Sequence, residues 1–392
     1  MENIAVLFGG RSVEHEVSVI TGLQVIENMD KEKFNPIPIF LDKDGKFYTG
    51  ESLKSFKSFK QGSYKKEGIE VFFKPEYKNF NLYTLEDKSG LFNKQKSEKV
   101  YAKIDLIFPA LHGTFGEDGC IQGLFELMQI PYVSGGVAAS AASMDKVLMK
   151  KVFQADGLPL VEYKYFYRSE YEDKKDEILG YGDELGYPII VKPANLGSSV
   201  GISKAKNRQE LEAAIEVAKH FDKKIILERC VENLREINMS VLGYESYLET
   251  SRTEEPVSWS DFLTYDEKYK QKNSKSGSKS SGKASASRNI PAKISPDVEE
   301  EIRRLAVKAF KAVDCAGVSR IDFMLEKDKV YVNEINTLPG SCAFYLWEHK
   351  YSFKELITKL IDIAKAVYKN KSENSYSINS NLFEKTSYGG KL

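Results

Sequence analysis

Cysteine is scarce in this sequence, and its few cysteines are far apart. No CxxC spacing occurs among Cys120, Cys230, Cys315 and Cys342. The pattern excludes a paired-cysteine motif and does not indicate a disulfide framework. Isolated cysteines of this kind are typical of reduced, mostly buried thiols, so we expect a cytoplasmic protein.

Long apolar runs and an excess of one charge are also lacking. No run of about 18 apolar residues occurs, so we expect no membrane-spanning segment. The chain starts MENIAVLFGG, which is not the layout of a signal peptide. Lys plus Arg and Asp plus Glu each total 57, so overall charge does not favour a nucleic-acid partner. With 392 residues, 42% of them hydrophobic, the chain is predicted to form two or three domains.

The N-terminal segment has the pattern of an α/β unit. Apolar residues 3–8 predict a strand, which is followed by two glycines and a helical pattern, and ligands are expected at the carboxyl end of such a strand. Glu14 lies at the mouth of this turn. Taken alone, it is interpreted as a first-turn acid that favours the helix dipole.

A second predicted strand, residues 105–111, ends at His112, for which a structural hydrogen bond is as good an interpretation as catalysis. Residues 43–102 between these strands are charged and Lys-rich, and they contain scattered aromatic residues. They predict a β-rich insertion to which no chemistry can be assigned.

Residues 317–340 predict a β-hairpin with polar residues on one face. Side chains alternate along a strand, so Arg320 and Asp322 share a face, as do Glu334 and Asn336. An antiparallel register that sets Asp322 opposite Glu334 also sets Arg320 opposite Asn336. Four polar residues in register on an otherwise apolar hairpin favour a functional site over a merely solvated surface.

That register needs an odd-length connection, for which we expect the three-residue loop Lys327-Asp328-Lys329. Two carboxylates that face each other across strands repel unless a cation lies between them. Two carboxylates and an amide suit Mg²⁺, which usually takes further ligands from water and phosphates. The hairpin therefore predicts a magnesium site.

The segment GYPIIVKPANLGSSVGISK predicts a strand, a small-residue loop and a second strand. The loop Gly197–Gly201 resembles a phosphate cradle, although GxxxxGK[ST] is absent and a strand follows. Lys192 ends the first strand, and an inward lysine needs an anionic partner. Glu228 lies at the end of a later strand. It is interpreted either as an acid that accepts hydrogen bonds from a nucleotide ribose or as a solvated acid.

Residues 270–287 contain Gly, Ser and Lys but no acid and no aromatic residue, so they cannot fold alone. A flexible linker is one interpretation. The position just before the hairpin favours a mobile lid whose lysines cover phosphates. Nucleic-acid binding is disfavoured because stacking aromatics are lacking.

Separated segments of the sequence resemble one family in its own order. They are GGRSVEHEVS, ALHGTFGEDGCIQG, SMDK, VKPANLGSSVG, the 228–236 segment, the pair at 268–269, SRIDF and NEINTLPG. These motifs are similar to those of D-alanine–D-alanine ligases, of the ATP-grasp superfamily, and the resemblance extends over about residues 3–365.

The resemblance implies an α/β fold in which an N-terminal Rossmann-like parallel-sheet domain precedes two ATP-grasp subdomains. The expected boundaries are 1–141 with the insertion 43–102, 142–229, 230–369 with a mobile lid at 262–290, and a polar tail at 370–392. It also implies that the γ-phosphate of ATP passes to the carboxylate of one D-alanine, and that the amine of a second D-alanine attacks the acylphosphate. The dipeptide is a peptidoglycan precursor, and family members are commonly homodimers.

The resemblance also implies roles for individual residues. Glu14 binds the ammonium of the first D-alanine, His112 lies near its carboxylate, and Tyr345 and Leu346 fall at positions that contact the second substrate. The residues expected to bind ATP are Lys146, Lys192, Glu228, Arg229, Val231, Glu236 and Lys268. The ligands expected for Mg²⁺ or Mn²⁺, two ions in the family, are Asp322, Glu334 and Asn336. The residues expected to act in catalysis are Glu14, Ser198, Tyr269, Arg320 and Gly340, the last through its backbone N–H.

The segment after Gly340 departs from the family pattern. Where the family has a serine that contacts the second substrate's carboxylate, this sequence has Tyr345, whose phenol donates from a different distance. D-Serine as the second substrate therefore stays open, whereas Tyr269 argues against D-lactate. A non-catalytic ATP-binding homologue is disfavoured by the retained residues Arg320, Asp322, Glu334 and Asn336.

Overall fold

The computed structural model describes residues 1–90, 93–256 and 288–378, and the side chains of 88–95 are outside this description. The described chain contains three β-sheets, each covered by helices. None of the described helices combines the length and the apolar composition needed to cross a membrane.

The N-terminal sheet has seven strands in the order β6-β5-β4-β3-β2-β1-β7. Its strands are β1 (Glu2–Gly9), β2 (Phe34–Leu41), β3 (Phe47–Thr49), β4 (Ile69–Phe73), β5 (Asn81–Gly90), β6 (Asn93–Lys103) and β7 (Leu106–Pro109). β1 is parallel to β2 and β7, as the predicted α/β unit requires. Its helices are α1 (His15–Asn28), α2 (Phe56–Lys60), α3 (Tyr64–Glu67) and α4 (Cys120–Met128).

The insertion 43–102 is β-rich, as predicted, and its strands β3 to β6 extend the sheet in antiparallel fashion. It also contains α2, α3 and the 3₁₀ helix Glu51–Lys54, which the sequence pattern did not predict. These helical turns are at most five residues long, too short for a recognisable helical period.

The central sheet is antiparallel, with the order β10-β9-β11-β8. Its strands are β8 (Tyr163–Tyr167), β9 (Ile189–Pro193), β10 (Ser203–Ala205) and β11 (Lys224–Arg229). The neighbouring helices are α5 (Val137–Met144), α6 (Lys146–Ala155), α7 (Lys175–Leu185) and α8 (Arg208–Lys219), and a 3₁₀ turn covers Arg168–Glu170. α7 and α8 share a core with Ile189, Val191, Ile225 and Leu227, so Lys192 and Glu228 lie on the opposite face of this sheet.

The C-terminal sheet is antiparallel, with the order β14-β13-β12-β15-β16. Its strands are β12 (Arg235–Tyr244), β13 (Tyr247–Pro256), β14 (Arg288–Asn289), β15 (Gly317–Glu326) and β16 (Lys329–Asn336). One face packs on α9 (Pro296–Ala312) through residues such as Ile321 and Phe323. Ser295 caps α9, and Pro296 occupies its first position, where no backbone N–H is needed.

The chain ends beside the N-terminal sheet. After the 3₁₀ helix Gly340–Leu346, α10 (Phe353–Ser372) packs into the same core as β1, through residues such as Leu356 and Leu360. α10 ends at Ser372, two residues beyond the predicted start of the polar tail, and residues 379–392 lie outside the described residues. This shared core holds the N-terminal turn after β1 close to the β15–β16 hairpin.

Candidate active site

The β15–β16 hairpin has the predicted register at its functional end. Asp322 lies opposite Glu334, and Arg320 lies opposite Asn336. The apolar residues between them, such as Ile321, belong to the core below. The alternation of apolar and polar residues therefore identified the polar face of the hairpin. This face lies across a cleft from the central sheet, with Lys146 between them.

The predicted three-residue loop is wrong. Glu326 pairs with Lys329, so the turn has two residues, of which Lys327 takes a φ of 57°. The register shifts next to Asp322, where Asn333 is the additional residue of a β-bulge. The bulge supplies the odd residue that the predicted pairing needed, since a single inserted residue re-aims the side chains beyond it.

The polar face continues across the sheet. Glu254 on β13 pairs with Asn238 on β12, which pairs with Asp322, which pairs with Glu334 on β16. Directly opposed residues point to the same side of a sheet, and adjacent strands lie about 4.8 Å apart. Glu254 and Asn238 are buried, with 3% and 8% of their surfaces exposed. This extension could not be predicted from the sequence, because β13 has no motif that marks it.

The hairpin residues contact cationic groups. Arg320 forms a double ion pair with Asp322, with Nε–Oδ1 and Nη2–Oδ2 distances of 2.6 and 2.7 Å. Lys146 Nζ lies 3.7 Å from Glu334 Oε2, and Asn336 Nδ2 donates to Asp322 Oδ2 at 3.3 Å. Positive side chains thus balance the two carboxylates at the place predicted for a cation.

These residues fit a magnesium ion that shares its coordination with a ligand. The described residues contain no group of three His, Cys, Asp or Glu side chains that could hold a metal alone. Two carboxylates and an amide supply hard oxygen ligands and leave positions for phosphate oxygens, the pattern in which Mg²⁺ is usually bound.

A buried charge cluster lies on the cleft face of the central sheet. Lys192 Nζ donates to Glu228 Oε2 at 2.6 Å, and Lys150 Nζ lies 3.1 Å from Glu228 Oε1. Burial alone would raise the pKa of Glu228, but the two adjacent ammonium groups lower it to about 2. The cluster carries a net positive charge, which suits an anionic ligand.

Sequence analysis did not assign a role to Lys150. It is 1% exposed, whereas its neighbour Lys151 is exposed. The signal that could have found it is its spacing, since Lys146 and Lys150 are four residues apart and share one face of α6. Burial lowers the pKa of Lys150, whose charge Glu228 only partly compensates.

Lys146 joins the central sheet to the hairpin. Asp145 caps α6 by accepting hydrogen bonds from the backbone N–H groups of Val147 and Leu148, so α6 begins at Lys146. Lys146 Nζ donates to the carbonyl of Leu196, 2.9 Å away, at the start of the glycine-serine loop. The side chain is therefore placed between that loop and Glu334.

The loop after β9 contacts the N-terminal turn. Ser198 Oγ hydrogen-bonds Glu14 Oε1 across 184 residues of sequence. Gly197 packs on the same carboxylate, where a Cβ would lie 3.1 Å from Oε2, closer than a side chain normally allows. Glu14 occupies the N-cap position of α1 without a side-chain capping bond, and its carboxylate is instead bonded to Ser198. Burial, together with the nearby Glu117, raises the pKa of Glu14.

His112 is buried next to this carboxylate. Its Nε2 lies 2.9 Å from Thr21 Oγ1, and its Nδ1 lies 3.5 Å from Glu117 Oε1. Burial disfavours the imidazolium, but Glu117 and Glu14 outweigh this effect and raise the pKa of His112. Thr21 also accepts a hydrogen bond from the backbone N–H of Ser341, so this network reaches the segment after Gly340.

The residues predicted to bind the adenine and the ribose lie at or just after the end of β11 and on β12. Val231 is buried in a small apolar cluster with Val161 and Met324, which forms a wall at the end of β11. Arg229 lies beside the same cluster, because its guanidinium carbon is 5.8 Å from the ring centroid of Tyr331, a member of the cluster. The guanidinium also forms a double ion pair with Glu326, each N–O distance being 2.9 Å. Glu236 lies on β12 opposite Met324, beside this wall.

The segment after Gly340 differs from expectation in its details. Ser341, Cys342 and Ala343 all have positive φ values, 52°, 54° and 49°, within the 3₁₀ helix that starts at Gly340. Leu346 is fully buried in the core. The hydroxyl of Tyr345 lies 2.8 Å from Glu254 Oε2. Lys268 and Tyr269 lie outside the described residues.

Comparison with known proteins identifies the family. The profile "D-ala D-ala ligase N-terminus" matches residues 3–135, and "D-ala D-ala ligase C-terminus" matches residues 152–362. Proteins named D-alanine–D-alanine ligase from two strains of Staphylococcus epidermidis are 40% identical over 389 residues, 96% of this chain and 99% of theirs. One from Macrococcus caseolyticus is 41% identical over 384 residues, with the same coverage.

Solved structures agree. The VanG D-Ala:D-Ser ligase of Enterococcus faecalis has a TM-score of 0.74 and 31% identity, with 93% of this chain and 99% of that chain covered. The D-alanine–D-alanine ligase of Coxiella burnetii has a TM-score of 0.75 and 27% identity, covering 95% and 96%. The fold and the cleft therefore define a protein of the ATP-grasp class. The chain belongs to the D-alanine–D-alanine ligase family, whose membership implies the use of ATP and of small-molecule substrates.

Proposed function

We propose that the protein is an ATP-dependent ligase that joins two D-alanine molecules into the peptidoglycan precursor dipeptide through a D-alanyl phosphate. The proposal is carried by one arrangement: the facing pair Asp322 and Glu334, with Arg320 beside it, opposite the buried Lys150–Glu228–Lys192 cluster. Phosphoryl transfer needs charge neutralisation and positioning more than covalent help from the protein, and these residues supply both.

Glu14 is the residue that would hold the first D-alanine. Its carboxylate is buried at the end of the N-terminal turn and held by Ser198, so an ammonium group bound there is fixed in one place. Lys146 and the glycine-serine loop lie next to the Glu14 carboxylate. A D-alanine whose ammonium is bound by Glu14 would therefore have its own carboxylate directed toward the phosphate-binding lysines. Fixed placement of the reactants is a large part of such a rate acceleration.

Lys146 and Lys192 would contact the phosphates of ATP, with Lys150 completing the positive surface behind Glu228. Asp322, Glu334 and Asn336 would hold Mg²⁺ or Mn²⁺, two ions as the family resemblance implies, which neutralises charge on the phosphates. Val231 and Glu236 would contact the adenine and the ribose, which is consistent with the apolar wall at the end of β11.

Arg320 and the backbone N–H of Gly340 would stabilise the oxyanion of the second step. In that step the amine nitrogen of the second D-alanine bonds to the acyl carbon, the amine loses a proton, and the C–O bond to phosphate breaks with its electron pair leaving on phosphate. Donors aimed at the developing oxyanion lower this barrier. A closed site protects the acylphosphate from water, a role we assign to the segment containing Lys268 and Tyr269.

A D-alanine–D-serine ligase is the second candidate. Two observations favour it: the 31% identity to a solved D-Ala:D-Ser ligase, and Tyr345 in place of the family's serine. The two functions share the first half of the reaction and differ only in the acceptor.

The test is ATP-dependent phosphate release with a panel of D-amino acids and D-hydroxy acids, with the products identified by mass. Turnover of D-alanine alone to the dipeptide would support the proposal. Turnover only with a mixture of D-alanine and D-serine would overturn it in favour of the second candidate. An absence of turnover with every acceptor would indicate a non-catalytic homologue. A homodimer and a cytoplasmic location stay predictions, which light scattering and cell fractionation can check.

A further inference from the structure

The hydroxyl of Tyr345 has a hydrogen-bond partner within the protein. It donates to Glu254 Oε2 at 2.8 Å, and a phenol has only one proton to donate. Burial, with Glu254 close by, raises the pKa of Tyr345, so the phenol stays protonated and keeps this bond at neutral pH. Tyr345 is therefore a poor replacement for a serine that donates to a substrate carboxylate, and another residue must take that task.

Glu254 in turn holds a guanidinium. Its Oε1 lies 3.2 Å from Arg288 Nη1, while Asn238 Nδ2 donates to its Oε2 at 3.2 Å. The Arg288 guanidinium also lies over the Tyr345 ring, 4.5 Å from the ring centroid. Contact with a buried carboxylate on one side and an aromatic face on another restrains an arginine that is itself 36% exposed. The contact with Glu254 engages Nη1, and a guanidinium has five N–H donors.

Glu254 and its partners lie on the β13 side of Arg320, opposite the β16 side that carries Glu334 and Asn336. Glu334 is on β16, next to β15 on one side, whereas Glu254 is two strands away on the other side. Arg320 lies on β15, between β12 and β16, and is close enough to Tyr345 to affect it electrostatically. On the proposed function, the phosphates and metal take the β16 side, and an amine that attacks the acyl carbon near Arg320 must enter from the side of Tyr345 and Arg288.

We propose that Arg288 binds the carboxylate of the second substrate, and that Glu254 and Tyr345 are positioning residues that hold its guanidinium. This inference rests on the proposed function. A guanidinium binds a carboxylate through parallel charge-assisted hydrogen bonds, which a single phenol cannot replace. The substrate class that follows is a free D-amino acid with an α-carboxylate, as opposed to an amide or a peptide acceptor blocked at that carboxylate.

The test compares two acceptors in one mixture. D-Alanine and D-alaninamide carry the same amine and methyl group, but only D-alanine has a carboxylate, so D-alaninamide can act as acceptor and not as donor. The ratio of the two products, measured by mass at equal acceptor concentrations, gives the ratio of their kcat/KM values. We expect the unaltered protein to favour D-alanine by about 10- to 100-fold, the range of a charge-assisted contact, and Arg288→Met to abolish this preference.

Formation of the D-alanyl phosphate is measured separately, by trapping with hydroxylamine as the hydroxamate, which needs no second amino acid. Arg288→Met should leave hydroxamate formation within about twofold of the unaltered protein, and Arg288→Lys should restore part of the acceptor preference. Arg252→Met, at an exposed arginine on β13, is the matched control and should change neither measurement. Tyr345→Phe should keep most of the preference.

The proposal is overturned if Arg288→Met keeps the preference for D-alanine, or if Tyr345→Phe removes it as fully as Arg288→Met does. Failure of the proposed function has a different signature: the unaltered protein would then form no hydroxamate, or would form it and join neither acceptor.

Discussion

The ammonium of Lys150 and the carboxylate of Glu228 lie 3.1 Å apart with 1% and 3% of their side chains exposed. The two atoms form an ion pair that lacks the orientation of a hydrogen bond. Removal of one partner from a buried pair leaves the other charge uncompensated, which typically costs about 3–5 kcal/mol. Glu228 keeps Lys192 at 2.6 Å, so the cost here should fall at the lower end of this range.

Lys150→Met should therefore lower the free energy of unfolding by about 3 kcal/mol. Lys151→Met is the matched control, since Lys151 is the next residue of α6, is exposed, and contacts the hydroxyl and the ring of Tyr165. Its change should stay within about 0.5 kcal/mol. Urea unfolding of the two variants side by side measures both. Equal stability of the two variants would contradict the assigned importance of the buried cluster.

Glu228 should also link stability to pH. Its folded-state pKa is about 2, below the value of about 4.3 expected in the unfolded chain. Its ionisation thus contributes stability in full above the unfolded pKa, and this contribution is lost as the pH falls through the folded pKa. Glu228→Gln should be less stable than the unaltered protein at pH 7, and the difference should shrink between about pH 4 and pH 2. A difference that stays constant over that interval would show that the carboxylate is not the origin. Thermal unfolding across the pH series provides the measurement.

The hairpin shows what the sequence could predict and where it failed. The alternation of polar and apolar residues around Asp322 and Glu334 was enough for the register, because a one-residue slip would expose the core face. The β-bulge at Asn333 was not predictable, since a three-residue loop without a bulge and a two-residue loop with a bulge give the same pairing of Asp322 with Glu334. Lys150 and Lys151 are the same residue type, and the spacing that places Lys150 on the face of Lys146 shows which one is buried only once the packing of α6 is known. Glu254 was missed because its partners Arg288 and Tyr345 are 34 and 91 residues away.

Glu117 should raise the lowest pH at which the first substrate still binds. Glu14 must be ionised to hold an ammonium, and burial together with the negative charge of Glu117 raises its pKa. A group with a raised pKa loses its charge at a higher pH than an ordinary carboxyl group does. Glu117→Gln removes a charge but keeps an oxygen acceptor for the backbone N–H of Gly113, which now donates to Glu117 at 2.8 Å. The acid limb of kcat/KM for hydroxamate formation should therefore move to lower pH.

His112 and Lys146 also face Glu14, and both lower its pKa, so the expected shift is the part due to Glu117 alone. Glu16→Gln is the control, because Glu16 is an exposed residue of α1 that pairs with Lys43. It should leave the pH profile in place. A shift of the limb to higher pH in Glu117→Gln would show that its contact with His112 matters more than its charge.

Asn336 should be required for the metal and dispensable for folding. Its amide donates to Asp322 Oδ2 at 3.3 Å, a weak contact that Arg320 can replace, since the guanidinium already holds the same carboxylate. Asn336→Ala should unfold within about 1 kcal/mol of the unaltered protein. Mg²⁺ would lose one of three side-chain ligands, so the Mg²⁺ concentration for half-maximal phosphate release should rise at least about tenfold. Asn370→Ala, at an exposed amide on α10 that donates to Glu245, should leave that concentration unchanged. Full activity of Asn336→Ala at unchanged Mg²⁺ demand would refute the metal assignment, because the remaining two carboxylates would then suffice.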